Sequence, residues 1–282
     1  MDDNKDHGID LLKKDPLLEQ EPPEKKKSRW GWLTGFGGLF LFLKVGKIWA
    51  ILKGALIFLK FGKFLTTGLS MMLMVVVYTY MYGWKYAVGI VLLLFIHEMG
   101  HLTASRRLGI DTSLPMFIPF VGALIQMREQ PKDAKTESIV GIAGPVFGAF
   151  GALGCLFLGE LFGSGLLLAL AYFGFLLTVF NLVPAHPLDG GRIVTAISLK
   201  LWVVGIPVMV FFSLYYFNPI GILICILAVR KAWEVWKDRD NPYYDTDWGF
   251  RCKMGVSYFL LFALSAYYTY NLHEVLNSAD LS

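Results

Sequence analysis

The stretch "GIVLLLFIHEMGHLTASRRLG", residues 89–109, is apolar enough to lie in lipid, yet it holds two histidines and a glutamate within five positions. An ionisable side chain near a bilayer centre costs roughly 2.5–3.5 kcal/mol on insertion scales, so three together need a reason. His97 and His101 stand at i and i+4, one helical turn apart on one face, the spacing two imidazoles need to share one zinc ion. Glu98 lies beside them, placed to take a proton from an attacking water and pass it to a leaving amine. The bland alternative is a histidine pair satisfied by neighbouring backbone carbonyls. A catalytic zinc needs a third protein ligand and an open position. Cys155, Cys225 and Cys252 are isolated and no CxxC occurs, which excludes a thiolate site. The third ligand must then be a His, Asp or Glu from elsewhere, and "NLVPAHPLDGGR", residues 181–192, offers both His186 and Asp189. Pro184 and Pro187 oppose helix there, and the residue before Pro187 is pushed towards extended geometry, so the two do not share a helical face. Asp189 has a plain use too, as cap of a following helix over 190–199.

These residues need a membrane scaffold, and the composition supplies one. Of 282 residues, 55% are hydrophobic and 17% charged, with mean hydropathy +0.53. Soluble domains carry nearer a quarter charged residues. The net charge of +4 is small and speaks to orientation in a membrane, not to nucleic acid. Residues 1–35 read as a disordered cytosolic tail, with Pro16, Pro22, Pro23 and "KKKSR". In residues 36–63, "FLKVGK" returns as "FLKFGK" and lysines interrupt every apolar run, which predicts an amphipathic interfacial segment. Spans are expected at 64–82, 86–104, 138–159, 166–184 and 254–272. Residues 201–229, broken near Asn218-Pro219, read as a hairpin of two short helices. With a cytosolic N-terminus this arrangement puts every one of the 26 Lys and Arg residues but Lys85 on the inner side. The fold class is therefore an all-α polytopic membrane protein of about six or seven transmembrane helices. Pro115, Pro119 and Gly122 break residues 110–133 into a small membrane-dipping β-hairpin, with a wet cavity expected beside it. Gly141, Gly144, Gly148, Gly151 and Gly154 recur at three and four residues, giving one helix a smooth face for close packing.

"HEMGH" and "NLVPAHPLDGG", separated by a Gly-Pro helix start and a membrane-dipping hairpin, resemble the site-2 protease family of intramembrane zinc metalloproteases. The resemblance covers roughly residues 66–200. Asn181, Pro184, Asp189 and Gly190 fit the family's N-x-x-P-x-x-x-x-D-G pattern residue by residue. What it implies is one Zn2+ held by His97, His101 and Asp189, with Glu98 as general base. It implies that Asn181 contacts substrate or the developing oxyanion. Gly144 of the Gly-Pro step, and Phe120 and Gly122 of the hairpin, are the other candidate substrate-binding residues. The hairpin of 111–128 resembles the family's sheet, which receives an unwound substrate as an added strand.

The resemblance makes residues 64–200 the intramembrane metalloprotease core, and 201–282 further spans with a short external tail. The loops are too short for the PDZ domain many relatives carry, and the last ten or so residues too few for nucleotide-sensing modules. The expected activity is zinc endopeptidase cleavage of membrane-anchored proteins near the cytosolic face, with the bilayer and such a substrate as partners and no nucleic acid. The expected location is the plasma (inner) membrane of a prokaryote. A transporter would favour inverted repeats, and none is visible. A silent scaffold would have lost a motif residue, and all are present.

Overall fold

The computed structural model describes residues 65–120, 122–125, 129–215 and 219–279; the tail and the interfacial segment expected over 1–63 lie outside them. Helix α1, Leu65–Tyr82, is an uncharged run that stops at Gly83, whose φ of 82° only glycine adopts without strain. Helix α2, Trp84–Arg107, carries the two histidines and ends with Arg106 and Arg107 in its last turn, where cations meet the negative end of the helix dipole. Strands β1, Met116–Ile118, and β2, Gly122–Leu124, pair antiparallel with Phe117 opposite Ala123. The expected hairpin is there, but short. Phe117 is buried while Met116 is exposed, the alternation of a sheet with one packed face.

Helix α3, Ala134–Phe162, begins earlier than expected. Its cap is Asp133, whose Oδ1 accepts from the Thr136 amide at 2.7 Å, so Gly144-Pro145 is not a helix start and Pro145 lies inside the helix. Helix α4, Gly165–Asn181, is followed by a turn and the short α5, Asp189–Ile197. The doubtful region does form two helices, α6, Trp202–Tyr215, and α7, Pro219–Lys237, which pack on each other. Proline opens α7, where its missing N–H costs nothing. The last helix, α8, Trp248–Ala279, is longer than the span expected over 254–272: "NLHEVLNSA" continues the helix, since neither glycine nor proline follows Gly255 before residue 280.

Among the described residues three helices, α1, α2 and α3, are long and apolar enough to cross a membrane. The apolar α4 has 17 residues. One core cluster joins Met74 of α1, Val91 and Leu94 of α2, Phe117 of β1 and Leu170 of α4. A second packs Ile193 and Val194 of α5 against Leu182, Trp202, Met254 and Tyr258. The helix of the glycine series packs closely on α2: a Cβ on Gly100 would lie 2.3 Å from the Ala143 carbonyl oxygen. That closeness brings the histidines against α3.

Candidate metal centre

His97 and His101 put their Nε2 atoms 3.2 Å apart on the buried face of α2. Asp189 Oδ2 lies 3.0 Å from His97 Nε2 and 3.2 Å from His101 Nε2. All three residues are buried, with relative exposures of 3%, 6% and 7%. Asp189 is the first residue of α5, but Leu188 is the cap and no side chain caps the helix, so the plain use of Asp189 is not what is found. Two glycines allow this placement. A Cβ on Gly190 would lie 2.3 Å from the Leu182 carbonyl oxygen, and one on Gly191 would lie 2.4 Å from the His186 nitrogen. Only a bare backbone lets the 182–186 turn press on the start of α5.

The chemistry of the donor set fits a cation. His101 Nδ1 is 2.8 Å from the Val140 carbonyl oxygen, which can only accept, so Nδ1 carries the proton and Nε2 presents a lone pair. That lone pair faces a carboxylate oxygen and a second imidazole nitrogen. The His101 lone pair and the Asp189 carboxylate oxygen, both acceptors 3.2 Å apart in a buried site, repel unless a positive charge sits between them. Ligand atoms about 2.0–2.1 Å from a tetrahedral zinc stand about 3.3 Å from one another. The observed 3.0–3.2 Å separations match that figure. Among the described residues this is the one group of three His, Cys, Asp or Glu side chains close enough to hold a metal.

Three more features complete the surroundings. Glu98 is only 8% exposed, yet its carboxylate makes no hydrogen bond or ion pair with another described residue, and it lies in the electrostatic field of His97, Asp189 and Arg192. Gly144 faces the His101 ring: a Cβ there would lie 2.1 Å from Nε2. Gly148 does the same for His97, at 3.0 Å from Nδ1, an atom that is buried without a hydrogen-bond partner among the described residues. Gly141 packs on Arg192 and Ile193, Gly151 on Leu93 and Ile96, and Gly154 on nothing within 4 Å. The smooth face thus has work at four of its five glycines.

The remaining sequence candidates are placed differently. Asn181, at the end of α4, spends one amide hydrogen on the Leu177 carbonyl oxygen at 3.0 Å. Phe120 and Gly122 form the hairpin turn, with φ of 67° and 110°, and the exposed Phe120 ring packs edge-on to Tyr78 at 6.0 Å. No described hydrogen bond or ion pair joins these three to the histidine–aspartate group. His186 stands outside the group, its ring 6.1 Å from that of Trp202. The exposed His273 stacks on Tyr172, an ordinary surface role. A cavity of about 420 Å³ lined by Arg106, Asp111, Thr112 and Ser113 adjoins the hairpin segment.

Sequence reading missed one connection. Arg192 Nε lies 3.6 Å from Glu137 Oε1, and the Tyr243 hydroxyl donates to Glu137 Oε2 at 2.7 Å. Burial, and then the Glu137 charge, push the Tyr243 pKa far above its ordinary value, so it stays a donor. Glu137 thereby ties the first turn of α3, which carries Val140, to α5, which carries Asp189. Residues 106 apart in sequence leave no local pattern to find.

Comparison with known proteins agrees with this chemistry. Residues 85–167 match the profile of peptidase family M50. A protein of Methanocaldococcus jannaschii named as a zinc metalloprotease is 33% identical over 110 residues, 37% of this chain and 32% of that one. A protein of Mycobacterium tuberculosis, Rip3, whose name carries a provisional zinc-metalloprotease label, is 31% identical over 112 residues, 36% of this chain and 28% of its own. The aligned part is thus less than a third of each relative's length.

Proposed function

We propose that this chain, whose residues 85–167 are a peptidase family M50 segment, is an intramembrane zinc endopeptidase acting on membrane-anchored proteins. The observation that carries the reading is the meeting of His97, His101 and Asp189 within 3.2 Å beside a buried, unengaged Glu98. The three would hold the metal through two Nε2 atoms and Oδ2. Zinc bound there supplies Lewis-acid chemistry, acidifying water and polarising a peptide carbonyl.

The chain's own residues do the rest. The Val140 carbonyl fixes the His101 tautomer. Glu98 takes the proton from the attacking water and returns it to the amine of the broken peptide bond. Asn181 retains one amide hydrogen and its carbonyl oxygen, and is the proposed contact for substrate or oxyanion. The hairpin, with Phe120 and Gly122 at its turn, offers a strand edge to an unwound substrate. That answers a real difficulty, because a peptide bond inside an intact helix is shielded. Gly144 belongs with the metal ligands instead, since it packs on the His101 ring.

Residues 64–200 form the proposed catalytic core, and α6 to α8 bring the proposed number of spans to six or seven. Arg106 and Arg107 follow His101 within the same helix, which favours a cut near the cytosolic face of a prokaryotic plasma membrane. The test is Glu98→Gln. About one zinc per chain should remain while cleavage falls by at least about 100-fold. Full activity would remove the proposed mechanism.

A further inference from the structure

A second polar site lies at the C-terminal end of α5. Ser198, Lys200, Trp236, Arg239, Tyr244 and Arg251 line a cavity of about 390 Å³ where the end of α5, the 199–201 turn, the end of α7 and the start of α8 meet. Three of these side chains are cations. Arg251 is held rigidly: its Nε donates to Thr246 O and Oγ1, each at 3.0 Å, and Nη2 donates to the Tyr244 carbonyl oxygen at 3.5 Å. Neither Arg251 nor Lys200 has a carboxylate within ion-pair distance among the described residues. A half-buried arginine is normally paired, and this one is fixed by neutral oxygens alone.

Asp245, between Tyr244 and Thr246, is exposed and makes no ion pair with Arg251 among the described residues, and three other acids nearby have partners of their own. Asp238 accepts from Asn241 at 2.9 Å, Asp247 accepts from the Phe250 amide at 2.9 Å, and Glu234 pairs with Arg230 at 3.1 Å. Asp240 approaches Arg239 only to 3.9 Å and is almost fully exposed. Arg239 instead lies over the Trp236 ring at 5.5 Å. The cavity lining thus holds three cations and no carboxylate, with arginine forks suited to phosphate oxygens.

Its surroundings indicate where such an anion would come from. Trp236 lines it and is 49% exposed, and Trp233 of α7 and Trp248 at the start of α8 are exposed at 63% and 78%. Tryptophans gather where a membrane meets water, and basic pockets between helices at that level bind lipid headgroups. We propose that this pocket binds a phosphate-bearing anion, the headgroup phosphate of an anionic membrane lipid or a small soluble phosphate ester. The proposal does not depend on the protease reading, because none of its residues belongs to the histidine–aspartate group.

The test uses the full purified chain in lipid-free detergent and native mass spectrometry. Phosphatidylglycerol and phosphatidylcholine of identical acyl chains are compared, with glycerol 3-phosphate as the soluble arm. Phosphatidylglycerol, or glycerol 3-phosphate if the ligand is soluble, should be retained at least about tenfold better than phosphatidylcholine. The Lys200→Gln/Arg239→Gln pair should weaken that retention about 25-fold, taking each charge as worth about fivefold near a surface. Both side chains are exposed, so thermal melting of the pair should match the parent. Arg251→Lys, which keeps charge but loses the fork, should bind with intermediate strength. Arg107→Gln/Lys132→Gln, two exposed cations outside the cavity, should bind as the parent does. Equal retention of both lipids without binding of glycerol 3-phosphate would overturn the site. So would an equal loss in the Arg107/Lys132 pair, because diffuse surface charge would then suffice.

Discussion

Gly144 offers the sharpest test of how the metal centre is built. Gly144→Ala adds one methyl group to the middle of a buried helix. The new Cβ would stand 2.1 Å from His101 Nε2 and 2.3 Å from Cε1, where ordinary contact begins near 3.4 Å, so the ring must retreat by about 1.3 Å. Metal–ligand distances tolerate only about 0.2 Å. The imidazole also cannot pivot freely, because Nδ1 is tied to the Val140 carbonyl oxygen at 2.8 Å. Overpacking of this kind costs about 1–3 kcal/mol of stability, and loss of ligand alignment should weaken zinc by at least about 100-fold. Gly154→Ala is the control: it sits on the same helix with nothing within 4 Å of its Cβ. It should leave zinc untouched and, by helix propensity, stabilise by up to about 1 kcal/mol. Zinc affinity is read by competition with a chromogenic chelator, and apo-protein stability by thermal melting in the same detergent. If Gly144→Ala bound zinc as tightly as the parent, the contact between α3 and the His101 ring would not matter to the site, and the reasoning would fail.

Asp189→Ala should lose most zinc and all cleavage, while His186→Phe keeps zinc and at least partial activity; metal analysis giving the reverse would make the site three-histidine. Ala123→Pro removes a backbone donor from β2 and should impair cleavage of long membrane substrates more than Ala123→Val, with zinc content equal in both. Equal effects on cleavage would assign the loss to packing. Asp133→Ala should cost about 1 kcal/mol at neutral pH by uncapping α3. The hydrogen bond from Thr136 lowers the Asp133 pKa in the folded chain, so this stabilisation is present above the unfolded value of about 3.9 and fades as pH falls through the folded one. Melting temperatures of parent and variant should therefore converge in acid, and a constant gap down to the lowest pH would refute the assignment.

The residues themselves determined the ligand types. Two histidines one helical turn apart share a face wherever that helix forms, and no isolated cysteine could join them, so the His97–His101 pair was legible from spacing alone. The break at Pro219 and the strand signals around Pro115 and Pro119 were legible for the same local reason: proline and glycine act on their own backbone. Helix ends were less legible. Asp133 claims the start of α3 through one hydrogen bond to Thr136, and the run after His273 stays helical simply because nothing stops it. Tertiary structure alone decided the long-range matters. Asp189, not His186, meets the histidines because Gly190 and Gly191 let the 182–186 turn lie on α5, and Gly144 serves His101 because α2 and α3 touch backbone to backbone. The Tyr243–Glu137–Arg192 link is a product of packing between residues far apart in sequence. Sequence spacing constrains what one helix or turn presents, whereas contact between elements depends on shapes summed over the whole chain.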